Sequence, residues 1–326
     1  MPRTALVMSV GEILIDFVST KSGRTLKDAP GFLKCAGGAP ANVAVGIARL
    51  GTRSTYVGNI GDDPFGRFLV AEMNSARVET SGIRFDPLHR TRLAFVSLKN
   101  NGDRDFAFWE SDPADEHLEF GKVNLDVLKR AHIVNIGSFL LLKNPSRASV
   151  MKIARCARKL QKEVCYDPNL RLSLWDDHDE AKRIMTAMIR QSTIVRLNDQ
   201  EAEFFTQTRK LDKAANRIRK LGPKLVVITL GSRGCYFQTK SCSGSVPGFK
   251  VKPVDTTGCG DGFLAGLLHG LAGSGKRLHD MEAPELCSIC VESNAVGALV
   301  ATKRGGIAAM PSKNELGRFL KSMKHS

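Results

Sequence analysis

Short apolar runs alternate with stretches of helical period along most of this chain, and that alternation leaves few folds open. Leu6–Val10, Thr55–Ile60, Ile133–Gly137, Glu163–Tyr166, Thr193–Leu197 and Leu225–Leu230 have the length and character of strands. Several are apolar at successive positions, as expected where a parallel sheet is covered on both faces. Between them, Ala39–Leu50, Pro64–Arg77, Pro145–Leu160, Glu180–Arg190, Asp199–Thr206 and Leu211–Leu221 repeat apolar residues at helical spacing. Gly260–Leu271 and Glu285–Ala301 predict two long apolar helices, and Lys313–Met323 a short amphipathic one. The alternation predicts an α/β fold: a doubly wound, mainly parallel sheet with helices on both faces. A length of 326 residues allows one large domain or two smaller ones, and no linker, repeat or low-complexity segment marks a division.

Two segments break the rhythm. Ile13–Ser19 alternates like a strand directly after the first one, and Arg92–Lys99 and Arg104–Glu110 alternate around Asn100-Asn-Gly-Asp103, a hairpin signal. They predict a small β-sheet projecting from the main body, either a lid over a ligand cleft or a plain solvent-facing hairpin.

The formal net charge of +15 favours anionic partners, but the basic residues are spread along the chain. In the densest region, Arg209–Lys220, apolar residues at helical spacing separate the charges, which is the pattern of a solvated helix face rather than a nucleic-acid patch. The N-terminus lacks the long apolar segment of a signal peptide, and no run reaches membrane-spanning length, so a cytoplasmic protein is expected. The eight cysteines are scattered and read as free thiols; Cys287-Ser-Ile-Cys290 lacks a second ligand pair and reads as two small buried residues.

The chemistry concentrates at Asp255-Thr-Thr-Gly-Cys-Gly-Asp261, which opens an apolar helix. Gly258 and Gly260 let backbone approach a ligand without a Cβ, and the first helical amides favour an anion. Asp261 in that first turn suits a group that accepts a hydroxyl proton while the amides hold a transferring phosphate. The same residues also fit a glycine-started helix with Asp261 as dipole partner, and on their own they leave both possibilities open. Ala36-Gly-Gly-Ala-Pro-Ala-Asn42 is a second glycine turn before a helix, with Pro40 as opener and the Asn42 amide beside it. It suits a polyhydroxylated ligand, or merely a helix start. Asp16 interrupts an apolar strand. Asp167-Pro-Asn-Leu-Arg171 and Asn198-Asp-Gln-Glu201 follow strands, at the edge where α/β sheets place ligands. Asn198 is expected to cap its helix, and Glu201 to reach a hydrated Mg²⁺. Gly270-Leu-Ala-Gly-Ser-Gly275-Lys276-Arg277 nearly spells a phosphate loop, but Arg277 replaces the required hydroxyl and the segment follows a helix, so it is rejected.

Gly-Gly-Ala-Pro-Ala-Asn-Val-Ala and Asp-Thr-Thr-Gly-Cys-Gly-Asp, in this order and far apart, resemble the two signatures of the ribokinase-like (PfkB) carbohydrate kinases. The resemblance runs from Gly11-Glu-Ile-Leu-Ile-Asp16 to Arg304-Gly-Gly-Ile-Ala-Ala-Met-Pro311 and looks most like the fructokinase branch. It implies one kinase domain over 1–326, with the lid sheet inside it from about 12–35 and 90–112. It also implies phosphorylation of a sugar hydroxyl by ATP. In this family resemblance Asp261 is the general base and the amides of Gly258, Cys259 and Gly260 form the anion hole. Asp16, Gly37, Gly38 and Asn42 would hold the sugar, with Arg171 at the sugar or phosphate end. Asn198 and Glu201 would order phosphates and Mg²⁺, Glu201 through water. Thr229, Gly231, Gly234 and Asn294 would line the nucleotide, and Asp255 and Thr257 match a K⁺ site. The expected partners are a small sugar and ATP, with a possible homodimer through the lid and no membrane. Cys259, Gly262 and Glu110 depart from the usual pattern, Glu110 being acidic near the sugar where a basic residue is usual. A 2-keto-3-deoxygluconate kinase is the rival within the family, and a catalytically weak scaffold protein the rival outside it.

Overall fold

The computed structural model describes residues 5–21, 23–98, 104–109 and 111–323, so the Asn100–Asp103 turn and Glu110 lie outside the described residues. In chain order the first elements are β1 (Leu6–Val10), β2 (Leu14–Ser19), β3 (Phe32–Gly37), α1 (Ala39–Arg49), β4 (Arg53–Gly61), α2 (Pro64–Ser75), β5 (Glu79–Asp86), β6 (Leu93–Leu98) and β7 (Arg104–Phe108). Next come α3 (Leu125–Arg130), β8 (Ile133–Gly137), α4 (Ser146–Lys159), β9 (Glu163–Asp167), α5 (His178–Gln191), β10 (Ile194–Asn198), α6 (Asp199–Thr206), α7 (Leu211–Arg219) and β11 (Leu225–Thr229). The chain closes with β12 (Cys235–Gln238), β13 (Ser243–Val246), α8 (Cys259–Gly273), α9 (Ala283–Ala301) and α10 (Lys313–Met323).

The large sheet has nine strands in the order β13-β12-β11-β10-β9-β8-β1-β4-β5. It is parallel from β11 to β5, and only the β12–β13 end runs antiparallel. All six strands expected from apolar runs are central members of it. The short strands β12 and β13 and the polar β5 were not anticipated, because they lack a continuous apolar run.

Two cores follow from the two-residue period of the central strands. Val164, Tyr166, Val195, Leu197, Val226 and Ile228 enter one cluster with Val150, Ile184 and Ile218 of α4, α5 and α7. Cys165, Ile194, Leu225 and Val227 enter the other with Val43 of α1 and Leu264 and Leu268 of α8. Counting two residues on from Cys165, Ile194 and Val227 gives Asp167, Arg196 and Thr229. The pleat thus delivers three polar side chains side by side, on the α8 face, at the C-terminal ends of adjacent strands.

Helix α8 packs on α9 through a row of glycines. A Cβ added at Gly262, Gly266 or Gly270 would come within 2.7, 2.8 and 2.7 Å of Val300, Ser293 and Ile289. Gly262, unusual for the family, therefore has a packing reason: the intrinsic helix cost of glycine, about 1 kcal/mol, is offset by close approach of α9.

The second sheet has four strands, β3-β2-β6-β7, with β2 and β6 parallel and the outer pairs antiparallel. Phe17 stacks on Phe95 at 5.0 Å, and Phe32 and Trp109 meet Phe95 edge-on. Its outer surface exposes Leu33 and Trp109. At its base Arg92 is buried against Asp115 at 3.0 Å and Glu116 at 2.7 Å. Among the described residues, no helix is long and apolar enough to cross a membrane.

Candidate active site

Helix α8 begins without a side-chain cap. Gly258 occupies its N-cap with φ 76° and ψ 1°, a left-handed conformation that costs a β-carbon-bearing residue about 1 kcal/mol or more. The Gly262 amide donates to the Gly258 carbonyl at 2.7 Å, and the Cys259 amide to Thr256 at 3.3 Å. The amides of Gly258, Gly260 and Asp261 have no partner among the described residues. The open donors at this helix end are therefore those three, while the Cys259 amide already has a carbonyl.

Beneath this turn lies Arg196. A Cβ on Gly260 would fall 2.7 Å from Nη2 and 3.0 Å from Nη1, so the guanidinium packs flat against the glycine. Nη1 donates to Asp167 Oδ1 at 3.2 Å and Nη2 to Thr229 Oγ1 at 2.8 Å, while the buried Nε has no partner among the described residues. Burial lowers the Arg196 pKa, but Asp167, then Glu201 and Asp261, outweigh it and hold the group above the usual arginine value. A fixed cation thus stands behind the amides, and the helix dipole adds to its field.

Asp261 is buried in the same turn. Burial is the largest cause that pushes its carboxyl up to about 6; the Asn42 hydrogen bond opposes this, Asp167 adds to it, and Arg196 and Arg171 pull it down. Asn42 Nδ2 donates to Asp261 Oδ2 at 2.7 Å across 219 residues of chain. That bond joins the two glycine turns into one site. Asn42 Oδ1 is buried with no partner, and Gly306 makes room for the amide, since a Cβ there would lie 2.6 Å from it.

The second turn is backed differently. Gly38 has φ 104°, and a Cβ on it would meet the Glu12 carbonyl at 2.5 Å. Glu12 Oε1 accepts the Ala39 amide at 3.0 Å, and its Oε2 is buried without a partner. Burial pushes this carboxyl up to about 8. The Asp16 carboxylate packs on Gly37, where a Cβ would come within 2.1 Å of Oδ2. Asp16 thus packs on the turn formed by Gly37 and Gly38, and Asn42 from the same segment joins it to Asp261.

The pfkB carbohydrate kinase model matches residues 4–313. The chain belongs to the pfkB family of carbohydrate kinases. It is 42% identical over 319 residues to Fructokinase-2 of Solanum lycopersicum, covering 98% of this chain and 97% of that one. Among solved structures it resembles a fructokinase with bound ATP from Xylella fastidiosa, with TM-score 0.89, 28% identity and coverage of 98% and 99%. It also resembles a double-mutant fructokinase from Vibrio cholerae bound to fructose, ADP and a potassium ion. There the TM-score is 0.86, the identity 31% and the coverage 97% and 98%.

The remaining expected residues of this pfkB kinase divide between open and engaged. Arg171 is exposed at the end of the Asp167–Arg171 loop, close enough for its charge to be felt at Asp261. Asn198 and Glu201 form a capping box on α6: Asn198 Oδ1 accepts the Glu201 amide at 2.8 Å and Glu201 Oε2 accepts the Asn198 amide at 2.7 Å. Glu201 Oε1 also takes the Leu170 amide at 2.7 Å, which ties α6 to the Arg171 loop. The Thr229 hydroxyl serves Arg196 and the Leu197 carbonyl. Gly231 is left-handed, with open space around it. Gly234 is packed instead, since a Cβ would meet the Val246 carbonyl at 2.0 Å. Asn294 Nδ2 donates to the carbonyls of Val246 and Pro247 at 3.3 and 3.1 Å, anchoring α9 to β13. Asp255 accepts from the amide and hydroxyl of Thr257 at 2.8 and 2.5 Å and from the Gly305 amide at 3.1 Å.

Arg196, Glu12 and Gly306 were given no role from sequence. A signal for Arg196 was present: a charged residue inside the apolar strand Thr193–Leu197 must be paired or functional.

Proposed function

We propose that this chain is an ATP-dependent fructokinase, converting D-fructose and ATP to fructose 6-phosphate and ADP. The observation that carries the proposal is the 2.7 Å bond from Asn42 to Asp261, which brings the two glycine turns into contact. One turn offers polar groups to a sugar, and the other offers amides to a phosphate beside a carboxyl poised to ionise near neutral pH. Asp261 takes the proton from the sugar hydroxyl as that oxygen bonds to the transferring phosphorus. The amides of Gly258, Gly260 and Asp261 receive the negative oxygens of the phosphoryl group, with Arg196 behind them. Asp16, Gly37, Gly38 and Asn42 hold the sugar, and Arg171 reaches its phosphate end. Thr229 and Gly231 border the nucleotide phosphates; Gly234 and Asn294 shape that wall by packing.

Mg²⁺ on the nucleotide phosphates would neutralise their charge. Both Glu201 oxygens already accept backbone amides, so Glu201 fits such an ion only through water. The Asp255 and Thr257 oxygens suit a hard cation such as K⁺. The kinase domain spans 1–326, the small sheet works as its lid and a surface for a homodimer, and the protein is cytoplasmic.

The test is ADP release coupled to an indicator enzyme, with fructose, 2-keto-3-deoxygluconate and other sugars under ATP and Mg²⁺, with and without K⁺. Fructose is expected to be turned over best and K⁺ to raise the rate. A preference for the keto acid would reassign the substrate, and no turnover with any sugar would end the proposal.

A further inference from the structure

The opposite edge of the large sheet holds a second charged feature. A cavity of about 550 Å³ opens at the starts of β1, β8, β9, β10 and β11, away from the strand ends that carry Asp167, Arg196 and Thr229. Arg158, Lys162, Lys224, Lys276 and Arg277 line it, against one carboxylate, Glu163. Five cations facing one anion leave an excess of four positive charges.

Internal partners offset only part of this excess. Lys276 pairs with Glu285 at 2.9 Å, and Lys162 donates to the Lys129 carbonyl at 2.7 Å. Lys224 lies 3.7 Å from Glu163 Oε1, and Glu163 Oε2 is buried without a partner. The Arg158 and Arg277 guanidinium groups make no hydrogen bond or ion pair among the described residues; only their backbone carbonyls accept amides. His132, also in the cavity wall, has its pKa lowered by burial and then by Lys162 and Arg53, so the field is felt by a neighbouring group.

Helix ends account for only part of the pattern. Arg158 lies in the last turn of α4, where a cation offsets the negative helix end. Lys224, Lys276 and Arg277 lie in loops and have no such role. Gly275-Lys276-Arg277, the tail of the glycine–lysine motif that failed as a nucleotide loop, turns here with Gly275 at φ 66° and nothing within 4 Å of its Cβ position.

We propose that this cavity is a second anion site, distinct from the kinase centre, that binds a small, multiply charged phosphate compound. Its volume suits a small molecule. Two unpaired guanidinium groups supply planar donors that match phosphate oxygens. Its occupant is an organic polyphosphate or an inorganic one, since the charge pattern matches phosphate and the lining residues select nothing further of a ligand.

The probe is tripolyphosphate, titrated calorimetrically into the full chain at about 0.15 M salt, where exposed surface charges are largely screened. Arg158→Glu/Arg277→Glu is compared with Lys182→Glu/Arg183→Glu, which applies the same charge change to an exposed face of α5. The cavity variant is expected to lose one saturable binding event, or weaken it by about tenfold or more, while the α5 variant binds as wild type. Sugar phosphorylation by both variants should stay within about twofold of wild type, because the site is remote. An isotherm unchanged in the cavity variant, or weakened equally in both variants, overturns the proposal. Fructose 1,6-bisphosphate in a parallel titration separates an organic from an inorganic occupant.

Discussion

The two glycine turns look alike in sequence and are electrostatic opposites in the folded chain. Both start a helix without a side-chain cap, and both place a left-handed glycine at the opening. Behind the α8 turn stands a buried arginine, and three amides in front of it have no partner among the described residues. Behind the α1 turn stands Glu12, which occupies the Ala39 amide and whose carboxyl is pushed up to about 8. A cation behind unsatisfied amides suits a phosphate, whereas a neutral acid behind a satisfied amide suits hydroxyls. The residue contributed by each turn follows suit: an acid that can take a proton from α8, and a neutral amide from α1.

Removing Asp261 should break the contrast most severely. Asp261→Asn is expected to lower turnover by about two to four orders of magnitude with nucleotide affinity little changed, measured by the coupled assay and by ADP titration. In wild type, turnover should rise with pH through about 6, since only the ionised carboxyl accepts a proton. Stability moves the other way. The folded-state carboxyl titrates at about 6 against an ordinary 3.8, so folding favours the protonated form. The stabilisation is present below the ordinary value and is lost as pH rises through about 6. Asp261→Asn should therefore melt higher than wild type above that pH while turning over far more slowly. A variant that keeps most of its turnover removes Asp261 from the chemistry.

Arg196→Gln tests the cation behind the amides. It removes both the charge and the fork that spans Asp167 and Thr229. Turnover is expected to fall by about ten- to a hundredfold with the sugar KM little changed, and the acid limb of the pH profile should move up, because Arg196 holds the Asp261 carboxyl down. A fall in stability with an unmoved acid limb would reduce Arg196 to a structural role.

Gly38→Ala addresses the other turn. Its φ of 104° and the 2.5 Å approach to the Glu12 carbonyl leave no room for a Cβ. The expected cost is about 1–3 kcal/mol in chemical denaturation, together with a raised sugar KM. Glu12→Gln should change turnover least. With its folded carboxyl at about 8 against 4.5, Glu12 favours the folded state when protonated, and wild-type stability should decline between those values. The glutamine variant should flatten that decline in melting curves taken from pH 5 to 9.

Much of this contrast was visible in the residues and some was not. The apolar runs and helical periods located every central strand and all the long helices, because a doubly covered parallel sheet must be apolar on both faces. The Asn198 cap followed from its position after a strand, whereas Glu201, expected to reach Mg²⁺, closes the same capping box. Gly234 and Asn294 were expected along the nucleotide, and their packing was hidden, because tight packing and ligand contact both select such residues. Structure shows them held against Val246. Arg196 was passed over because pairing across strands is invisible until Asp167 and Thr229 lie beside it.

Local information, carried by period, glycine position and the order of motifs, was sufficient for the class of fold and for picking out the two glycine turns that the fold brings together. Which amides stay open, what charge stands behind each turn, and how far the two carboxyls are displaced from their ordinary values are products of burial and of neighbours up to 219 residues away. Those depend on distance and dielectric, quantities that exist only once the strands are side by side.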